Sequence, residues 1–151
     1  MFDLNAFQEA VDRLHELLER TDEAKVGIRP SAESWSLKEI VGHLIDSASN
    51  NHQRFVRLQI GNLEEFPSYE AEQWIRIQEF NRMDWKLLKT LWFHFNTLIL
   101  ALVERIPDKC LPNAWTFDEN PRTLEWLVND YYRHLRWHTD HYQRRAAEII
   151  A

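Results

Sequence analysis

From Trp85 to about Arg105 the chain places Leu88, Leu91, Trp92, Phe95, Leu98, Ile99 and Leu102 on one stripe. Residues spaced by three and four share a face only when the backbone turns every 3.6 residues, so this stretch is predicted to be a helix that buries one side. Three further segments repeat the pattern. Phe7, Val11, Leu14, Leu17 and Leu18 mark a helix over Leu4 to about Arg20, and Leu37, Ile40, Val41, Leu44, Ala48, Phe55 and Leu58 mark a second. Leu124, Leu127, Val128, Tyr131, Leu135, Tyr142, Ala146 and Ile149 mark the last. Four one-sided helices bury their stripes most simply against each other, so the fold class is all-α, a four-helix bundle. With 151 residues, 44% of them hydrophobic, the chain is read as a single domain over 1–151. Three Gly and five Pro leave little material for the many tight turns of a sandwich or barrel.

Local signals set the boundaries. Ser36-Leu37-Lys38-Glu39 reads as a capping box, in which the serine hydroxyl accepts from the third helical amide and the glutamate reaches back, so the second helix runs from Ser36 to about Gln59. Residues 61–69, GNLEEFPSY, break it, and a short extra helical piece over Glu70 to Phe80 precedes a new N-cap at Asp84. Pro107, Pro112 and Pro121 punctuate a connection of roughly fifteen residues, long enough to be suspected as part of a site. Thr123 caps the last helix, which runs to about Ile149.

A formal charge of -6 argues against a binder of nucleic-acid backbone, which needs clustered Lys and Arg. Cys110 is the single cysteine and cannot form an internal disulfide, and the first residues carry no signal-type apolar run. A cytoplasmic location and no membrane partner are therefore expected, since the most apolar stretch, Leu98 to Val103, falls well short of the ~20 residues that span a bilayer. An aromatic-rich third helix makes a homodimer an expectation as well.

Polar residues on two of the stripes locate a candidate site. On a wheel of about 100° per residue, His138 lies roughly 40° from the apolar centre of the last helix, His134 about 80° and His141 about 100°, so the first points inward and the others line one border. On the second helix His43 lies at the border of the apolar face, Ser47 on its inner side, Asp46 on its outer side, and Asn51 near its middle, where a buried amide needs partners. Imidazoles at i, i+4 and i+7 plus one from a second helix can supply neutral nitrogens to a divalent metal such as zinc or nickel. The competing reading is a partly solvated helix face on which HLRWHTDHYQRR mixes aromatic and basic groups, with His43 a hydrogen-bonded boundary residue. Asp130, one turn before His134, can orient an imidazole through its free N–H, or is an ordinary surface charge. His15, His52 and His94 have no partner at ligand spacing. The seven tryptophans read as core and loop anchors, with Trp115 and Trp137 nearest the presumed site. Cys110 has no base beside it in sequence to make it a nucleophile.

Residues 35–55, WSLKEIVGHLIDSASNNHQRF, resemble the DinB-like superfamily of four-helix proteins, in particular its bacillithiol-transferase-like branch of metal-dependent hydrolases. The branch pattern W-(S/T)-x-(K/R)-(E/Q)-x-x-x-H-L-x-D-S is met at Trp35, Ser36, Lys38, Glu39, His43, Leu44, Asp46 and Ser47. The resemblance extends over GIRPSAESW, the segment from Asp84 to Ile106, and TLEWLVNDYYRHLRWHTDHYQRR, which is nearly the whole chain. It implies one divalent metal, zinc or nickel, held by His43 and two histidines of the last helix. The branch has H-x-x-H-H-x-x-H there, with the fourth and final positions as the binding pair. Laid on this chain that pattern begins at His134 and reaches Trp137, His138 and His141, and an indole offers no lone pair to a metal. Either His138 or His134 then completes a set with His43 and His141, or the metal has been lost.

The function implied is a metal-dependent thiol-S-transferase or hydrolase. Its metal would lower the pKa of water or of a small thiol taken into the open position, for attack on a small electrophilic substrate. A low-molecular-weight thiol is the implied partner, with Asn51 and Ser47 orienting substrate and Asp46 or Asp130 acting from behind the ligands. The alternative is a metal-free bundle that binds a small molecule or a partner without catalysis.

Overall fold

The computed structural model describes residues 1–150, the side chain of Ile150 excepted, so Ala151 of the expected 1–151 unit lies outside the described residues. Asp3 opens helix α1 (Leu4–Arg20) by accepting from the Ala6 amide, and the predicted stripe buries Phe7, Val11, Leu14 and Leu18. The capping box at 36–39 is complete: Ser36 Oγ accepts from the Glu39 amide and the Glu39 carboxylate from the Ser36 amide, launching α2 (Leu37–Arg57). The short extra helix is α3 (Ala71–Gln78), the third long helix is α4 (Trp85–Glu104) capped by Asp84, and Thr123 caps α5 (Leu124–Ile150).

The four long helices form the bundle. Helix α2 lies against α4 and α5, and so does α1, which puts α1 diagonal to α2 and α4 diagonal to α5. Sequence-adjacent long helices are thus not all spatial neighbours, unlike an up-down-up-down bundle with short loops. Helix α4 is long and apolar enough, by length and composition, to cross a membrane. In this fold its Trp85, Leu88, Trp92, Ile99 and Val103 are core, and its buried Asn96 accepts a hydrogen bond from Tyr131 at 2.5 Å. Leu87, Leu91 and Leu98 stay exposed on its other side, so the stripe expected there divides between core and surface.

The connections carry more structure than the irregular loops expected of them. Strands β1 (Leu63–Glu64), β2 (Ala114–Phe117) and β3 (Asn120–Thr123) form a small sheet, β1 parallel to β2 with Leu63 opposite Trp115, and β2 antiparallel to β3 with Thr116 opposite Pro121. The hairpin turns through Asp118 and Glu119, both left-handed at φ 54° and 62°. The indole of Trp115 donates to the Phe66 carbonyl at 2.8 Å, tying the loop after α2 to the loop before α5. Beside the start of α2, Phe80 lies flat on Gly42: a Cβ there would come within 2.3 Å of its ring. Only glycine permits that approach.

Candidate metal centre

Helices α2 and α5 face each other across the part of the core where their stripes carry imidazoles. His43, His134 and His138 each offer a ring nitrogen within 4.8 Å of the others. His43 and His138 are buried and His134 is half-buried. The Nε2 atoms of His43 and His134 stand 3.2 Å apart, while the ring of His138 closes the triangle at 4.5 Å from His43 and 4.4 Å from His134, centroid to centroid. Two imidazole nitrogens on one tetrahedral zinc, each about 2.0–2.1 Å from it, lie about 3.3 Å apart. The 3.2 Å separation fits that edge, and it also fits an N–H···N bond between two neutral rings. The buried Nδ1 of His43 has no hydrogen-bond partner among the described residues. An orphaned buried nitrogen is costly, but a ring that turns Nε2 toward His134 directs Nδ1 elsewhere, so this atom does not bear on the metal.

Electrostatics keep the rings in the form that ligates. Burial, with the neighbouring His134 and His141 adding to it, pushes the His43 pKa down to about 3. Burial first, then the three surrounding histidines, takes His138 to about 2. His134 is lowered by burial, with Asp130 opposing and Arg133 reinforcing, and His141 is lowered by burial and by Arg145 and Arg144. At neutral pH the rings are uncharged, with lone pairs available to a metal.

The other predicted residues fall at different distances from this triangle. His141, half-buried, reaches His138 at 3.4 Å between Nδ1 atoms and lies outside the converging set. Trp137 is 54% exposed and sits edge-on to His138 from outside. Asp46, expected on the outer side of α2, is buried instead, because α3 packs over that side and Gln78 Nε2 donates to both its carboxylate oxygens at 2.9 Å. Burial, opposed by Gln78, raises the Asp46 pKa to about 6. Asn51 is half-buried rather than central to the core, and its amide donates to the Ser47 carbonyl one turn back. Asp130 accepts from Arg133 Nε at 3.0 Å and makes no hydrogen bond to His134 among the described residues. Cys110 is buried far along the chain from these groups, its thiol against the Gln59 carbonyl.

Aromatic and basic residues complete the surroundings. Trp35, before α2, stands over the cluster with its ring 5.1 Å from His43 and 6.3 Å from both His138 and His141, while the anticipated Trp137 lies 4.7 Å from His138 and 5.4 Å from His141. An open depression of about 300 Å³ on the His138 side is bordered by Trp35, Trp137 and Arg145. A cavity of about 200 Å³ on the His134 side is lined by Ser47, Asn51, Arg54, Tyr69, Trp115 and Arg122, among others. A further cavity of about 470 Å³ lies between the segment before α2 and α3, where Arg29 and Glu39 pair with each other and no histidine is in the lining.

A four-helix bundle with three imidazoles converging between its second and last long helices defines the class: a helical protein able to hold one metal ion. The chain belongs to the DinB superfamily, whose profile matches residues 6–143. No curated protein sequence matches it. Among solved structures it is similar to YfiT from Bacillus subtilis, a probable metal-dependent hydrolase with an unusual four-helix bundle topology, at 18% identity and a TM-score of 0.84 over 97% of this chain and 85% of that one. It is also similar to YjoA, a DinB-like protein of Bacillus subtilis, at 16% identity and a TM-score of 0.68 over 98% and 91%. These likenesses establish the fold.

Proposed function

We propose that the protein is a metal-dependent enzyme acting on a small electrophilic substrate, as a hydrolase or as a thiol-S-transferase of the bacillithiol-transferase-like kind. The observation that carries this reading is the convergence of His43, His134 and His138 within 4.8 Å, all three uncharged at neutral pH. His134 takes the place that the branch pattern gives to the residue at Trp137, and His141 stands beside His138 as a neighbour that fixes its ring. A divalent cation such as zinc or nickel, when bound, supplies Lewis acidity and lowers the pKa of a water or thiol in its open position. The chain's own residues do the rest. Trp35 and the flanking loops exclude bulk water, Ser47 and Asn51 orient substrate from the His134 side, and Asp46 and Asp130 set the local charge. The description of YfiT as a probable metal-dependent hydrolase supports the same reading.

Purification without a nickel column followed by elemental analysis is expected to show about one metal per chain. His43→Ala, His134→Ala and His138→Ala should each empty the site, while His141→Ala should retain the metal. A protein that carries no metal and ignores added zinc would sink the proposal and favour the alternative, a binding bundle without catalysis. The exposed Leu87, Leu91 and Leu98 of α4 support a homodimer, which sedimentation equilibrium tests.

A further inference from the structure

The cavity beside His134 contains a charged group that the fold leaves without a counter-ion. Arg54, on α2, is only 4% exposed, yet no carboxylate lies within ion-pair distance of it among the described residues. Its guanidinium lies 4.2 Å from the Trp115 ring centroid, and its Nη2 donates to the Pro67 carbonyl at 3.2 Å. Its buried Nε has no partner among the described residues. A buried cation held by aromatic faces and a single carbonyl is an expensive arrangement unless an anion arrives to complete it. Across the same cavity Arg122, at the rim, lies 5.1 Å from the Trp126 ring centroid and is likewise without a carboxylate partner among the described residues. Burial weakens the hold of Arg54 on its proton, Tyr69 opposes that, and the charge of Arg122 adds to it, so two like charges act on one small space.

We propose that this cavity is an oxyanion subsite in which Arg54 and Arg122 hold the carboxylate of a small substrate, whose other end extends past His134 to the three imidazoles. Two guanidiniums and the Asp130 carboxylate among the lining groups leave one net positive charge, which matches a monoanion. Guanidinium is the cation whose flat fork grips a carboxylate with two parallel hydrogen bonds. The space of about 200 Å³ admits a short carboxylic acid and excludes a nucleotide-sized ligand. The identity of the reacting end rests on the metal-centre reading; the anion subsite rests on its own residues.

The test is a two-dimensional NMR titration with butyrate and with butyramide, its uncharged counterpart, on protein stripped with EDTA and on protein supplemented with zinc. Butyrate is expected to bind at least about tenfold more tightly than butyramide in both forms, because only the acid forms charge-assisted bonds. Shifts should centre on Trp115, Trp126 and the end of α2. Arg54→Met and Arg122→Ala should each erase most of the preference, and the exposed rim variant keeps the test intact if the buried one does not fold. Equal binding of acid and amide to the stripped protein, or a preference that survives Arg122→Ala and a folded Arg54→Met, overturns the subsite. A butyrate preference in a protein that takes up no zinc upholds the subsite and overturns the metal centre; zinc uptake without the preference does the reverse.

Discussion

The two halves of the bundle core are built to opposite rules. Where α1 meets α4 and α5, Phe7 stacks on Tyr132 with centroids 3.9 Å apart, and Leu14, Leu18, Leu88, Trp92 and Ile99 fill the space. Where α2 meets α5, His43, Ser47 and His138 are buried instead, with Asp46 behind them. The first half is not wholly free of polar atoms, since the Asn96 amide is buried there with its hydrogen bonds made and, among the described residues, Trp92 Nε1 and Tyr132 OH lack partners. The second half gives up apolar contact for rings and hydroxyls that gain little by folding. The dry half therefore supplies stability and the polar half spends it on a binding site, a division that mutations can test.

The sharpest break would come from the dry half. Trp92→Ala, at a fully buried position, is expected to cost about 3–5 kcal/mol in urea unfolding; a loss under about 1 kcal/mol would show that the stability resides elsewhere. In the polar half the sign should depend on pH. His138 has a folded pKa near 2 against 6.5 unfolded, so only the unfolded chain takes up its proton between those values, and stability is full above pH 6.5 and falls as pH drops toward 2. For metal-free protein this single group accounts for about 2 kcal/mol lost between pH 7 and pH 5. His138→Leu should flatten that slope by the same amount and leave stability at pH 7 unchanged or higher, while abolishing zinc binding. A slope identical to that of the unaltered protein would refute the assignment.

A smaller effect tests the frame around the polar half. Gly42→Ala improves helix propensity but drives a Cβ into the Phe80 ring, and overpacking of that kind is expected to leave a net loss of about 1–2 kcal/mol. Because Phe80 follows α3, which covers Asp46, the variant should also show faster exchange of the α3 amides. Unchanged thermal stability would mean that the ring moves aside without cost.

How far this division was legible from the residues differs between elements. The four long helices followed from their stripes, and the start of α2 followed from a capping box that uses only four adjacent side chains. The inward aim of His138 followed from the wheel. The burial of Asp46 did not, because a wheel knows only its own helix and α3 arrives from elsewhere to cover that side. Nor did the isolation of Arg54, which depends on Trp115 being carried over it by a sheet. The place of Trp35 over the histidines was hidden for the same reason, although the residue itself matched the family pattern, as a residue just outside a helix has no face from which to predict its direction.

The sheet itself escaped notice because its strands are four residues or fewer, Pro121 interrupts β3, and the turn lacks the usual signal. A two-residue hairpin loop with both residues left-handed ordinarily carries Asn-Gly or Asp-Gly, and here it is Asp118-Glu119. Proline is tolerated because β3 is an edge strand. Glutamate at φ 62° is strained, since its Cβ crowds the following carbonyl. Glu119→Gly should relieve that strain and, after the extra freedom glycine gives the unfolded chain, raise stability by about 0.5–1 kcal/mol, visible as a small upward shift in Tm. The position lies on the hairpin that presents Trp115 and Arg122 to the cavity beside His134, so the same variant should leave zinc content unaltered while firming the anion subsite. A fall in Tm would mean that Glu119 makes a contact in solution worth more than the strain it bears, and the hairpin would then be stabilised by its turn rather than by the Trp115 anchor.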